Sequence, residues 1–185
     1  LHVPLMIAAP RTQELIAQIK HLSSEYLGLI PDAGIFARSI SKRHLQEGRD
    51  AGVPEPILQR ALQLWAQKTP LEPAQAELKA MGADKRTETW VGGAIWDTFG
   101  YSDHAELTSI MPYIVHFHGK FFSIEDGDEP DLRYEEIVRT LLENGYAGWV
   151  NSEYEGDGDS LAVVQAHQAM IKRYIAKYAQ KEQMA

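Results

Sequence analysis

Apolar and polar positions follow two rhythms along the chain. Val3 to Ala9 is an apolar run closed by Pro10, which predicts a buried strand. Thr12 then stands as a cap before Leu15, Ile16, Ile19 and Leu22, the spacing of a helix with one apolar face. Tyr26 to Ile30 predicts a second buried strand, closed by the turn signal Pro31-Asp32-Ala33-Gly34. Strand, helix and strand with short connections make a βαβ unit.

From about Ser39 to Ser109 the rhythm turns helical and irregular. A helix is predicted between Pro54 and Thr69, with Ile57, Leu58, Ala61, Leu62 and Trp65 on one stripe. Pro70 and Pro73 interrupt, and Ala74 to Met81 predicts a short helix. Trp90 to Tyr101 reads as a Gly-rich aromatic loop, and Asp103 to Met111 as another helix. After Pro112, Tyr113 to His118 predicts a third strand, followed by a loop of Asp, Glu and Gly. The next helix, from about Leu132 to Glu143, should bury Tyr134, Ile137, Val138, Leu141 and Leu142, with Asn144-Gly145 as its C-cap. Tyr146 to Asn151 predicts a fourth strand. A last helix starts near Ser160 and should bury Leu161, Val164, Ile171, Ile175 and Tyr178; the polar tail from Gln180 is expected to fray.

Strands alternating with helices argue for a parallel sheet. A complete (β/α) barrel of the TIM type needs eight such units and ~200 or more residues. Four strands predict half of such a barrel, a fragment of one, or a small open α/β domain. The chain reads as a single domain, 1–185, with a helical and aromatic insertion at about 39–109.

Composition narrows the class. The 185 residues are 44% apolar and 24% charged, the balance of an ordinary globular protein. Eighteen basic and 26 acidic residues leave a net charge of −8. Nucleic acid and anionic membranes both call for a cationic surface, so neither is expected as a partner. The absence of cysteine excludes disulfides, Cys-ligated zinc, iron–sulfur clusters and thiol catalysis. No apolar run approaches the ~20 residues of a membrane span, and no basic-then-apolar leader opens the chain. The expected location is cytoplasmic. The start at Leu1, inside an apolar stretch, hints at a preceding portion.

In parallel α/β folds the active site lies at the C-terminal ends of the strands. The second strand ends at Asp32, the third at His116-Phe117-His118 with Lys120 beyond, and the fourth at Ser152-Glu153-Tyr154-Glu155. The two-residue period puts His116 and His118 on one face, and Glu153 and Glu155 on one face. Asp, His and Glu on three strand ends form a set of hard oxygen and imidazole donors suited to Mn²⁺, Co²⁺, Mg²⁺ or Zn²⁺. Each residue alone has a plainer account: a turn Asp, a satisfied His pair, a solvated acidic loop. Trp90, Trp96 and Tyr101 fit either a sugar-stacking wall or the packing of the insertion. His2, His21, His44, His104 and His167 read as non-catalytic.

The stretches Tyr-Leu-Gly-Leu-Ile-Pro-Asp-Ala-Gly-Ile-Phe (26–36), Val-His-Phe-His-Gly-Lys-Phe (115–121) and Gly-Tyr-Ala-Gly-Trp-Val-Asn-Ser-Glu-Tyr-Glu-Gly (145–156) resemble the xylose isomerase-like TIM barrels. That superfamily holds sugar isomerases and epimerases as well as endonuclease IV. The resemblance covers the C-terminal half of the barrel. It implies a divalent metal held by Asp32, His118 and Glu153, with Glu153 also serving as base. Two departures stand out. Where the family places Glu-x-His at the end of the fifth strand, Met6 and Ala8 occupy the corresponding positions, and Ile35 stands where many members carry His.

The implied chemistry is isomerisation or epimerisation of a sugar through an enediolate, by proton abstraction next to a carbonyl. His116 would contact substrate hydroxyls, Lys120 would neutralise the enediolate, and Glu155 would stand behind the ligands. Two alternatives use the same strands. One is a metal-dependent lyase that cleaves C-glycosides after oxidation of the sugar and works with a small partner subunit. The other is an inactive half-barrel used for binding. Unpaired sheet edges predict a homo-oligomer or a partner chain that completes the barrel.

Overall fold

The computed structural model describes residues 1–182. In chain order the elements are α1 (Pro10–Leu22), α2 (Lys42–Asp50), α3 (Glu55–Ala66), α4 (Leu71–Ala80), α5 (Lys85–Val91), α6 (Leu107–Ile110), β1 (His116–Phe117), β2 (Lys120–Phe121), α7 (Tyr134–Glu143), β3 (Trp149–Val150), β4 (Glu153–Tyr154) and α8 (Ser160–Glu182). Three chain segments lie side by side in parallel. Leu29 pairs with Ile114 and Asp32 with His118. His116 pairs with Trp149 and Phe117 with Val150. Lys120 pairs with Glu153 and Phe121 with Tyr154. The register therefore sets Asp32, His118, Lys120 and Glu153 at one end of the sheet. The fold is a mixed α/β arrangement, mostly helical, and no barrel closes among the described residues.

Why the sheet sits where it does follows from the buried side chains. Phe117 and Phe121 point from β1 and β2 into the core, where Phe36 stacks on Phe117 at 6.5 Å. On α8 the inward stripe is His167, Met170, Ile171 and Tyr174, the i, i+3, i+4, i+7 pattern of one helical face. It packs on α7, which buries Tyr134, Ile137, Val138 and Leu141. The Tyr134 hydroxyl donates to the Lys120 carbonyl at 2.7 Å and ties α7 to the strand that carries Lys120.

Several expectations are corrected. Val3 to Ala9 is not a strand. Pro4 and Pro10 bracket the run and supply no N–H, and turn bonds such as Leu5 N–H to the His2 carbonyl, 2.7 Å, fold it instead. The helix that follows starts at Pro10 with no side-chain cap, and Thr12 is buried inside it. Leu15 and Leu22 of α1 are exposed, as are Leu161 and Ile175 of α8, because only one narrow stripe of each helix meets the core. The second strand pairs only from Leu29 on, so Tyr26 is 87% exposed rather than buried. The fourth strand begins at Trp149, three residues later than its pattern predicts.

The insertion is more helical than its sequence implies. Pro73 does not interrupt α4, since it falls in the first turn where no N–H is required. The Gly-rich stretch after Trp90 is no loop: α5 runs through Val91 into a π-helical turn, Gly92–Trp96, closed by Asp97 N–H on the Gly92 carbonyl at 2.9 Å. The helix expected at 103–111 forms in pieces, with Asp103 and Glu106 making a reciprocal capping box. α8 runs past Gln180 to Glu182, and the last residues of the tail expected to fray, 183–185, lie outside the described ones.

Candidate metal centre

Asp32 closes the first of the three parallel segments and is 2% exposed. Its Oδ1 accepts the Gly34 N–H at 2.6 Å and so caps the 3-10 turn Ala33–Ile35. Gly34 is needed there, since a Cβ would stand 2.8 Å from Asp32 Oδ1. Oδ2 lies 2.7 Å from His118 Nδ1. The other ring nitrogen of His118, Nε2, lies 3.2 Å from Oε2 of Glu153. That oxygen is buried and has no aligned hydrogen-bond donor.

This geometry fits a cation. If Nδ1 carries the ring proton and donates it to Asp32, Nε2 turns a lone pair toward an anionic oxygen 3.2 Å away. Two lone pairs facing each other in a half-buried site repel unless the ring takes a second proton or a positive ion lies between or beside them. Asp32, His118 and Glu153 each offer one donor atom, and all three atoms lie within 4.8 Å of one another. Hard carboxylate oxygens with one imidazole suit a divalent ion such as Mn²⁺, Co²⁺, Mg²⁺ or Zn²⁺.

Lys120 stands beside the cluster and is only 4% exposed. Its Nζ lies 3.9 Å from Asp32 Oδ2, 3.1 Å from Glu155 Oε1 and 2.8 Å from His2 Nε2. His2 Nδ1 is 2.8 Å from the Val3 carbonyl, so that nitrogen carries the proton and Nε2 accepts from Lys120. From the sequence His2 reads as non-catalytic, a residue near a terminus. In the structure it is the Leu1 carbonyl that accepts the Asp32 N–H, at 2.9 Å, and His2 leaves that same edge. Met6 and Ala8 therefore do not occupy the position beside Asp32. Met6 Sδ instead accepts the Tyr101 N–H.

His116 sits one step from the cluster. Its Nε2 is 3.3 Å from Asn151 Oδ1, which also accepts the Gly119 N–H at 3.0 Å. Asn151 thus links the strand of His118 to the strand of Glu153. Ser152, next along, has its Oγ 2.9 Å from Nδ1 of the fully buried His167. His167 stacks on Phe121 at 4.0 Å, and burial pushes its imidazole down to about 4. Asn151 and Ser152 were legible only as strand residues, because their roles depend on cross-strand contacts. Trp90 and Trp96 pack the insertion: Trp90 lies over Gly48, and Trp96 Nε1 donates to the Thr69 carbonyl. Tyr101 lines a cavity with Trp65, away from the cluster.

No protein-family model matches the chain. The chain is distantly homologous to C-glycoside deglycosidase alpha subunits. It is 29% identical over 169 residues to the 3'-dehydrocarminate deglycosidase alpha subunit of a Microbacterium species, covering 84% of this chain and 49% of that protein. It is 33% identical over 162 residues to a C-glycoside deglycosidase alpha subunit of Arthrobacter globiformis, covering 80% of this chain and 44% of that protein. A C-glycoside deglycosidase alpha subunit of Microbacterium trichothecenolyticum is 29% identical over 169 residues, 84% of this chain and 46% of its own. The chain spans about half the length of the curated relatives it matches. No helix among the described residues is long and apolar enough to cross a membrane.

Proposed function

We propose that this chain carries the catalytic strand ends of a C-glycoside deglycosidase of the alpha-subunit type, built on half of a xylose isomerase-like barrel. The observation that carries the reading is the convergence of Asp32, His118 and Glu153 on one point, in a chain homologous to such subunits. The substrate class is a C-glycoside whose sugar has been oxidised to a ketone; the word dehydro in one relative's name supports it.

When bound, a divalent ion would polarise the substrate carbonyl and acidify the neighbouring C–H. Asp32, His118 and Glu153 would hold it. Glu153 takes the proton from the carbon between the ketone and the anomeric carbon. The electron pair left behind forms a carbon–carbon double bond to the anomeric carbon. The bond from that carbon to the aglycone breaks, and the aglycone carbon leaves with its electron pair and accepts a proton. Lys120 balances negative charge on the enolate oxygen, and the His2 imidazole beside it shares its proton. His116, whose Nε2 is engaged by Asn151, has Nδ1 for a substrate hydroxyl.

The isomerase or epimerase reading uses the same proton abstraction but ends in reprotonation. The relatives favour elimination. They also favour a partner subunit, which the word alpha in their names implies. Ile30 and Val115 stand exposed on two neighbouring segments and Trp149, 80% exposed, on the third, apolar surface for the rest of a barrel or a second chain to cover.

The test is incubation of the protein and Mn²⁺ with a 3-keto C-glycoside in D₂O, followed by NMR. Deuterium next to the ketone together with released aglycone is expected, and Glu153→Gln should abolish both. Exchange without release would favour the isomerase. Neither exchange nor release, or a fully active Glu153→Gln, would overturn the reading.

A further inference from the structure

We propose that the cavity between the C-terminal end of α3 and residues 101–104 binds a small organic anion, a phosphate or carboxylate on a body about the size of a sugar ring. The cavity measures about 240 Å³. At roughly 30 Å³ per water it is several waters large, more than a bare oxyanion fills. None of Asp32, His118 and Glu153 lines it, so it is separate from the metal centre.

Its charge is the reverse of the chain's average. Arg38, Lys68, His104 and Arg133 stand in the wall of a protein whose net charge is −8. Asp103 is the one acid in that wall among the described residues. Its Oδ1 already accepts the Ala105 N–H at 2.9 Å and lies 3.3 Å from His104 Nδ1. The two arginines share a single carboxylate, Glu136, at 3.2 Å from Arg38 and 4.0 Å from Arg133. Lys68 has no carboxylate partner among the described residues; its Nζ lies 5.7 Å over the Tyr101 ring. Three permanent cations thus face two acids, and guanidinium groups are well shaped to grip an oxyanion through paired N–H donors.

The backbone adds a second sign. Lys68 holds φ 58 at the end of α3, where its N–H reaches the Trp65 carbonyl at 2.8 Å and the Thr69 N–H reaches Leu64 at 2.9 Å. Glycine fills such a helix-ending position without strain, whereas a side chain there costs on the order of 1 kcal/mol. Lys68 bears that cost and lines the cavity. Trp65 and Tyr101, edge to face at 6.4 Å, supply the apolar wall for the ligand's body.

The test is calorimetric titration of metal-free protein at low ionic strength with inorganic phosphate, glucose 6-phosphate, glucuronate and glucose. One or both sugar anions should bind at least ten-fold tighter than inorganic phosphate, and neutral glucose should not bind; which anion wins identifies the head group. Lys68→Gly should weaken that binding ten-fold or more while raising the melting temperature, a pairing that a purely structural lysine would not give. Arg133→Gln should weaken it without loss of folding. No saturable binding of any anion, or binding untouched by both substitutions, would overturn the proposal.

Discussion

His118 is held between two carboxylates, with Nδ1 2.7 Å from Asp32 Oδ2 and Nε2 3.2 Å from Glu153 Oε2. One imidazole cannot donate a proton to both while neutral. The second carboxylate contact therefore calls for a positive charge, supplied by a second ring proton or by a divalent ion.

Lys120 supplies a positive charge to the same neighbourhood and competes with that ion. Lys120→Met removes an ammonium 3.9 Å from Asp32. Mn²⁺ affinity should stay equal or rise, while turnover falls by about 10²-fold or more, the scale of a lost charge-stabilising group. Titration calorimetry and turnover on the same sample check this; a parallel loss of both would make Lys120 part of the metal site instead.

Gly119 lies where two strands meet. A Cβ there would come 2.1 Å from the Asn151 carbonyl oxygen, a backbone atom that cannot swing aside. Gly119→Ala should cost at least about 1–3 kcal/mol in urea unfolding. It should also weaken Mn²⁺ binding, because it separates the strands that carry His118 and Glu153. Unchanged stability would contradict the strand register.

Two buried groups bend the pH profile in opposite senses. Burial raises the Glu129 carboxyl from 4.5 to about 7. Its Oε2 accepts the Asp131 N–H at 2.8 Å, and its Oε1 has no partner among the described residues. The folded state holds this proton more tightly than the unfolded chain, so stability falls as pH rises from about 4.5 to about 7. His167 is lowered from 6.5 to about 4, so its contribution is present above 6.5 and lost as pH falls toward 4. Each shift corresponds to roughly 3 kcal/mol. Glu129→Gln should therefore raise the melting temperature at pH 8 and leave it nearly unchanged at pH 4.5. Equal changes at both pH values would contradict the assignment.

The sequence is most legible at the strand ends. Strand ends alone bring out Asp32, the pair His116 and His118, and the pair Glu153 and Glu155, because a parallel sheet aligns its C-terminal ends; the resemblance to the xylose isomerase-like barrels is what singles out His118 and Glu153. Local patterns misled where context decides. An apolar run with Pro4 inside it folds into turns, and His2, read as a terminal residue, lies against Lys120. Gly92 and Gly93 read as loop residues, yet tertiary packing carries a helical turn through them. Leu15 and Leu161 look like core by spacing, but both stand exposed. The roles of Asn151 and His167 come from partners 32 and 15 residues away along the chain, which no local pattern records.

The most direct test of the central claim is metal stoichiometry, measured by elemental mass spectrometry after Mn²⁺ loading and dialysis. The account predicts about one ion per chain for the unaltered protein, and none for His118→Ala or Asp32→Asn at unchanged fold by circular dichroism. An unaltered protein that holds no metal, or variants that hold as much as it does, would contradict the metal centre.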